Sequence, residues 1–315
     1  MVSNRPAPSE TAVAVVLVTY QSARDLAMCL GSLERAAGPH PLEVLVVDNA
    51  STDASVEIAR GYGAKVIEHH TNLGLSRAIN IGVAATGAPW LLIANPDTWL
   101  APGSLRRLMA TATSGPRIGC VGPHLANPDG SDYPTGRRCP SLLMGAAHAA
   151  LGPVWPDNPA TRRYHMAGVD RTRPLEVDWV SGACMLVRRQ AFEQIGGFDP
   201  GYFMYFEEMD ACLRLHRAGW LVVFDPLAEV KHVVGGSTRS APYRKVVHHH
   251  RSALRFYCLR YARDPRLLLA PLVAAFLMLR GAASLARTAI TQRREAGRER
   301  PLAGPAPDEL GRPQT

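Results

Sequence analysis

Several marks of common functional classes are missing from this chain of 315 residues. Its six cysteines (Cys29, Cys120, Cys139, Cys184, Cys212 and Cys258) are scattered, with no Cys-x-x-Cys pair and no close His-Cys cluster of zinc type. That spacing disfavours a zinc site and favours reduced, mostly buried thiols. Neither G-x-G-x-x-G nor G-x-x-x-x-G-K-[ST] follows an apolar run, so a dinucleotide or P-loop phosphate cradle is disfavoured. The first eleven residues are polar and proline-bearing and lack a secretory apolar run, so a cytosolic catalytic face is expected. Nothing in the chain repeats. From Arg251 onward there is no lysine, and twelve arginines against five acids carry +7 of the total charge of +8. The first 250 residues are nearly neutral, which argues against a nucleic-acid groove across the body.

Long apolar runs are scarce as well. The one membrane-like stretch, residues 267–279, lies between Arg266 and Arg280 and is too short to cross a bilayer as a helix. Two readings of it stand: an interfacial helix with its arginines on anionic lipid, or a buried C-terminal helix followed by a solvated basic tail.

What is present is a 47% hydrophobic content, sufficient for a substantial core, and an alternation of strand and helix signals. Residues 13–18 are a continuous, largely β-branched run of the kind buried on both faces. Ser22 to Asp25 has the form of a capping box, with Leu26, Cys29, Leu30 and Leu33 at helical spacing after it. Residues 42–47 read as a second strand ending in the polar turn from Asp48 to Asp53, ahead of a helix to about Tyr62. Strands at 64–68 and 90–94 bracket a helix at 75–85. This order predicts an α/β fold with a mainly parallel sheet, whose ligands bind beyond the carboxyl ends of the strands. Thr19 and Tyr20, Asp48 and Asn49, and Asn95-Pro96-Asp97 all fall at those ends. Carboxylates there imply that a bound diphosphate is neutralised by a metal, because aspartate alone repels it. Residues 122–173, rich in proline and glycine, are expected to be irregular and to shape an acceptor site. Strand-like residues 175–187 precede a helix opened by Glu207-Glu208-Met209-Asp210, where the helix dipole alone favours acids.

Taken together, Val18-Thr19-Tyr20, Val47 through Asp53, Asn72-Leu73-Gly74, Ala94 through Asp97, Trp179 through Ala183, and Gly197-Phe198-Asp199 through Met204 and Asp210 to Arg214 resemble glycosyltransferase family 2. The order and spacing hold over about residues 12–262. The stretch from Gly122-Pro123 through Asn127-Pro128-Asp129-Gly130-Ser131 to Trp155-Pro156 is similar to actinobacterial-type rhamnosyltransferases acting on polyprenyl-diphosphate-linked N-acetylglucosamine.

The resemblance implies a GT-A, Rossmann-like sheet flanked by helices, with a helical C-terminal extension. It divides the chain into a disordered start (1–11), a nucleotide-sugar-binding half (12–121), an acceptor-binding half (122–239), C-terminal helices (240–290) and a disordered basic tail (291–315). It implies inverting transfer from dTDP-rhamnose to a lipid-linked sugar by a peripheral protein at the cytoplasmic face of the membrane. A mannosyl or galactofuranosyl donor is the alternative within the family, and a catalytically silent nucleotide-sugar-binding partner is the alternative outside catalysis.

Residue by residue, the resemblance makes Asp97 a ligand of a divalent metal, magnesium or manganese, with Asn95 where the family often has a first aspartate. His232 stands at a family histidine near the diphosphate, as a second ligand. Glu208 occupies the position of the general base, where aspartate is commoner. It is preferred to Glu207 and Asp210 because helix neighbours point about 100° apart and only one faces the sugar well. Asp48 accepts from the nucleobase in a pocket with Thr19 and Tyr20; Asn49, Asn72, Gly74, Arg77 and Asn95 complete the nucleotide side. Trp179, Gly182, Met204, Glu207, Asp210 and Arg251 are assigned to the acceptor. Arg244, Lys245 and Arg255, beside His248-His249-His250-Arg251, are further candidates for the lipid diphosphate.

Overall fold

A computed structural model describes residues 10–152, 154–233 and 242–298. The chain forms two compact units, residues 1–240 and 241–315. The first opens with β1 (Val13–Thr19), buried at every position, then α1 (Ala23–Ala37), β2 (Leu42–Asp48), α2 (Ser55–Gly61), β3 (Lys65–Glu68), α3 (Leu75–Ala84) and β4 (Trp90–Ala94). These strands pair in parallel in the order β3-β2-β1-β4. Parallel pairing hides both faces of β1, which is why its sequence does not alternate.

The chain continues through β5 (Thr98–Leu100), α4 (Ser104–Thr113), β6 (Ile118–Ala126), β7 (Asp132–Tyr133), α5 (Leu142–Leu151), α6 (Pro159–Tyr164), β8 (Leu175–Glu176), β9 (Cys184–Arg188), α7 (Arg189–Gln194), α8 (Glu207–Arg217) and β10 (Leu221–His232). The full order is β3-β2-β1-β4-β9-β6-β10-β5, with β7 added to β6 and β8 to β10. Strand β9 runs antiparallel to both β4 and β6, so the sheet is mixed rather than mainly parallel. The position expected to separate the two halves, 121/122, falls inside β6. Leu26 and Leu33 of α1 and Leu105 and Leu108 of α4 pack with Leu17, Leu92 and Leu186 of the sheet in one core. Each such leucine contributes about 2 kcal/mol by burial.

Two local expectations are corrected. Ser22 makes no side-chain cap, because its ψ of 8° is not the extended N-cap conformation; Ala23 N–H donates instead to Asp53 Oδ2 at 3.0 Å. Residues 122–173 are not irregular throughout, since β7, α5 and α6 lie within them. Both helices are capped by side chains: Ser141 accepts from Met144 N–H at 3.3 Å, and Asn158 from Thr161 N–H at 2.9 Å, with Pro159 opening α6.

The second unit is a pair of helices, α9 (Pro242–Arg260) and α10 (Ala270–Arg298), joined by a 3-10 turn (Pro265–Leu269). Here the thirteen-residue estimate is overturned. The helix does not stop at Arg280, whose Nη1 lies 3.2 Å from His250 Nε2. The stretch Pro265–Gln292 is 28 residues and holds an 18-residue window of mean hydropathy 1.9, long and apolar enough by length and composition to cross a membrane. Helix α10 also enters the expected tail; residues 1–9 and 299–315 lie outside the described residues. His250 bonds the Val246 carbonyl through Nδ1 at 2.7 Å, and no metal-binding group of three His, Cys, Asp or Glu occurs among the described residues.

Candidate active site

Beyond β4, Asn95 N–H donates to the Ala183 carbonyl at 2.9 Å, and the Asn95 carbonyl accepts from Thr98 Oγ1 at 2.7 Å. This turn sends the chain into β5, which pairs antiparallel with β10 in the register Thr98 opposite His232. Val233 N–H then reaches the Asp97 carbonyl at 2.9 Å. The ladder therefore brings together two side chains 135 positions apart in sequence: Asp97 Oδ1 stands 3.3 Å from His232 Nε2, both side chains 8% exposed. Asp97 Oδ1 and His232 Nδ1 are buried without a hydrogen-bond partner. Asp97 Oδ1, left without a hydrogen bond, and the His232 nitrogen that faces it, Nε2, are close enough to serve as two ligands of one divalent cation whose other positions come from a diphosphate. Asn95, expected beside the nucleotide, is partly exposed. The rest of the His232 segment, 234–237, lies outside the described residues.

The acids at the start of α8 are aimed by an unusual backbone. Tyr205 and Phe206 both adopt left-handed φ, 70° and 69°, a conformation costing about 1–3 kcal/mol each for non-glycine residues. Glu207 is 4% exposed, and burial, followed by the Glu208 charge, pushes its pKa well above the usual carboxylate range. Glu208 is partly exposed. Burial raises it too, while Arg137 and the Gly182 N–H favour its ionised form. Gly182 is closely fitted: a Cβ there meets Glu208 Cβ at 3.2 Å. Asp210 has a different partner from the one expected. Its Oδ2 accepts from Arg214 Nε at 2.8 Å, and Arg214 Nη1 donates to the Gly197 carbonyl at 2.8 Å, so this acid braces the Gly196-Gly197 turn.

The residues expected around the nucleotide mostly build the sheet edge. Asp48, 2% exposed, accepts from Thr19 Oγ1 and from Ser51 N–H, both at 2.8 Å, so each of its oxygens already has a partner. Asn49 clamps the next loop, accepting from Leu73 N–H and donating to the Gly74 carbonyl, both at 3.3 Å; Asn72 accepts from Gly74 N–H at 2.9 Å. Gly74 has φ 84°, and a Cβ there meets the Phe203 carbonyl oxygen at 2.7 Å, so that position admits glycine alone without rearrangement. Arg77 is exposed and donates to the Pro200 carbonyl at 3.3 Å. Tyr20 is partly exposed at the same edge.

On the other side, Trp179 is 4% exposed and Met204 partly buried. Arg251 is exposed on α9, in the second unit. Two residues carry no sequence signal yet shape the site. Asn80 of α3 exchanges two hydrogen bonds with Phe198, at 2.7 and 3.0 Å, fixing the segment before α8. Arg137 lies with its guanidinium carbon 4.7 Å from the Trp179 ring centre and 5.6 Å from those of Tyr133 and Tyr164. The Tyr133 ring in turn meets His232 edge-on at 5.6 Å, linking the two ends of the site.

Comparison with known proteins agrees with this geometry. The profile of glycosyl transferase family 2 matches residues 14–196. The N-acetylglucosaminyl-diphospho-decaprenol L-rhamnosyltransferase of Mycobacterium tuberculosis is 41% identical over 263 residues, covering 79% of this chain and 84% of the relative. Rhamnosyltransferase WbbL of Escherichia coli K12 is 37% identical over 99 residues, covering 29% of this chain and 38% of its own. Among solved structures, the mannosyltransferase PcManGT of Pyrobaculum calidifontis, in complex with GDP-Man and Mn2+, aligns with a TM-score of 0.55. It covers 91% of this chain and 79% of its own, at 16% identity, which speaks for the fold alone. A GT-A type sheet, an acid and a histidine joined at its ligand edge, and a family profile over more than half the sequence establish that this chain belongs to glycosyl transferase family 2 and is a glycosyltransferase.

Proposed function

We propose that this protein transfers rhamnose, with inversion, from dTDP-rhamnose to N-acetylglucosamine carried on a polyprenyl diphosphate. The observation that carries the reading is 41% identity, across most of both chains, to the mycobacterial enzyme named for that acceptor and sugar. In the reaction, an acceptor hydroxyl oxygen bonds to the anomeric carbon as the bond from that carbon to the diphosphate oxygen breaks. Glu208 accepts the hydroxyl proton; it is partly exposed, and although burial raises its pKa, the Gly182 N–H and the nearby Arg137 charge favour the carboxylate form that the step needs. Glu207, buried and with its pKa pushed well above the usual carboxylate range, is a supporting wall of the site. Asp97 and His232 would hold a magnesium or manganese ion, whose positive charge favours departure of the diphosphate. Thr19, Tyr20, Asp48, Asn49, Asn72, Gly74, Arg77 and Asn95 form the nucleotide edge, in large part by shaping its backbone. Trp179, Gly182 and Met204 form the acceptor floor. The protein works at the cytoplasmic face of the membrane, with α10 as its lipid contact; only 6% of the apolar window of that stretch is buried.

The test is turnover of a short prenyl-diphosphate N-acetylglucosamine with dTDP-rhamnose, GDP-mannose or UDP-galactofuranose, with and without a chelator. Rhamnose transfer that stops on chelation is expected, as is loss of turnover in Asp97→Ala. Transfer from another donor alone sinks the rhamnose assignment, and full activity of Asp97→Ala removes that residue from the site.

A further inference from the structure

Arg137 is a cation without a carboxylate. Several arginines in the first unit do have one: Arg107 pairs with Asp225, Arg138 with Asp178 and Arg214 with Asp210. No carboxylate among the described residues lies within ion-pair distance of Arg137. Its Nε donates to the Pro134 carbonyl at 2.8 Å and Nη1 reaches the Tyr164 hydroxyl at 3.5 Å, the outer limit for a hydrogen bond. Most of its five donors are unspent. Three aromatic rings and a backbone bridge from Arg137 to Trp179 hold the group in one place. A rigid, half-buried guanidinium with free donors is built to take a planar pair of oxyanion contacts.

The surroundings say which anion. On one side stands Glu208, close enough for its carboxylate to feel the Arg137 charge. On the other, Tyr164 carries the His148 ring of α5 at 4.7 Å between ring centres. Helix α5 and the turn after it expose apolar groups unusually: Leu143 is 83% exposed, Val154 75% and Trp155 54%. Beside them opens a cavity of about 740 Å³ lined by Arg138, Arg163, Ser141 and Met144 among others. A fixed cation between a general base and an exposed apolar helix matches a ligand whose anionic group joins a sugar to a hydrocarbon chain.

We propose that Arg137 receives the diphosphate of the lipid-linked acceptor and that α5 meets the first part of its prenyl chain. This rests on the proposed acceptor class and adds the site that holds it. Arg137 acts in substrate binding: with the diphosphate fixed one sugar away, the reacting hydroxyl is delivered to Glu208. The nearest competing source of the same chemistry is the diphosphate of the donor, since Tyr133 separates Arg137 from His232 by a single ring.

Binding of farnesyl diphosphate and of dTDP, each measured alone by calorimetry on the full chain, separates the two sources. In Arg137→Gln, farnesyl diphosphate affinity is expected to fall roughly thirtyfold, the loss of a charge-assisted pair, with dTDP affinity and Tm retained. Preference for farnesyl-diphosphate-N-acetylglucosamine over a neutral octyl N-acetylglucosaminide, as a ratio of kcat/KM, should fall by a similar factor; Arg137→Lys should restore part of it. A drop in dTDP affinity, an unchanged preference ratio, or no binding of farnesyl diphosphate by the unaltered protein each overturns the inference. The binding arm needs no sugar donor. Arg137-dependent farnesyl diphosphate binding therefore stands if the rhamnose assignment fails, and rhamnose transfer indifferent to Arg137 overturns this inference alone.

Discussion

Glu207 and Glu208 are neighbours in the chain with opposite prospects. Glu208 is partly exposed and feels the Gly182 N–H and the Arg137 charge, whereas Glu207 is 4% exposed and has neither; one oxygen of each, Oε2, is buried without a hydrogen-bond partner. Glu208→Gln keeps the shape but cannot take a proton, so kcat is expected to fall by roughly two to four orders of magnitude with dTDP affinity unchanged. Equal loss of both in calorimetry and steady-state assays points to a structural cap instead. Because burial raises the Glu208 pKa, activity should disappear as pH falls at a point above the usual carboxylate range. Glu207 makes the complementary case in stability. Its folded pKa is raised, so the native state binds more protons than the unfolded state from the ordinary carboxylate pKa up to the raised one. Stability is therefore lost as pH rises across that window. Glu207→Gln removes the loss. Its Tm advantage over the unaltered protein should grow from pH 5 to pH 8, reaching about 3 °C in calorimetric melts; an advantage independent of pH means that Glu207 is not a buried titrating acid.

At the scale of elements, the site depends on pieces that reach the same edge from distant parts of the chain. Strand β5 is three residues long, yet its pairing with β10 sets Asp97 against His232. The 197–206 segment is tied to α3 through Asn80 and to Gly74 through Leu75 N–H, which donates to the Phe203 carbonyl at 2.7 Å. Left-handed residues Gln21 and Ala50, after β1 and β2, and Tyr205 and Phe206, before α8, show where that edge bends most sharply. Helix α10 poses a different problem, because its apolar stretch has little protein around it. Ending the chain after Arg266 should abolish cosedimentation with anionic vesicles while the first unit keeps its melting transition; undiminished vesicle binding means that lipid is met elsewhere. In the intact protein, release from membranes by alkaline carbonate marks a helix lying in the interface, and retention marks one that spans.

For the whole molecule, the division of labour follows charge as well as contacts. The second unit carries all of the net positive charge, while the first presents a near-neutral body with a few placed ions. The strands β1 to β4 were legible because parallel pairing demands continuous apolar runs, and the family was legible because the strand-end motifs from Val18-Thr19-Tyr20 through Asp48 to Asp97 keep the family's order and spacing. The reversed strand β9 and the helices within 122–173 were not, since antiparallel insertion and short capped helices leave weak periodicity. The internal partners of Asp48, Asn49 and Asp210 were equally invisible: a polar residue at a strand end looks the same whether it meets a ligand or another loop. Sequence alone determined the α/β class, the family and the chemical type of the acids, because these rest on local pattern and residue identity. Tertiary structure decided which acid is the less buried, that His232 meets Asp97, and that Arg137 stands near Glu208 without an ion-pair partner among the described residues. Those are matters of distance between side chains that the chain brings together only by folding.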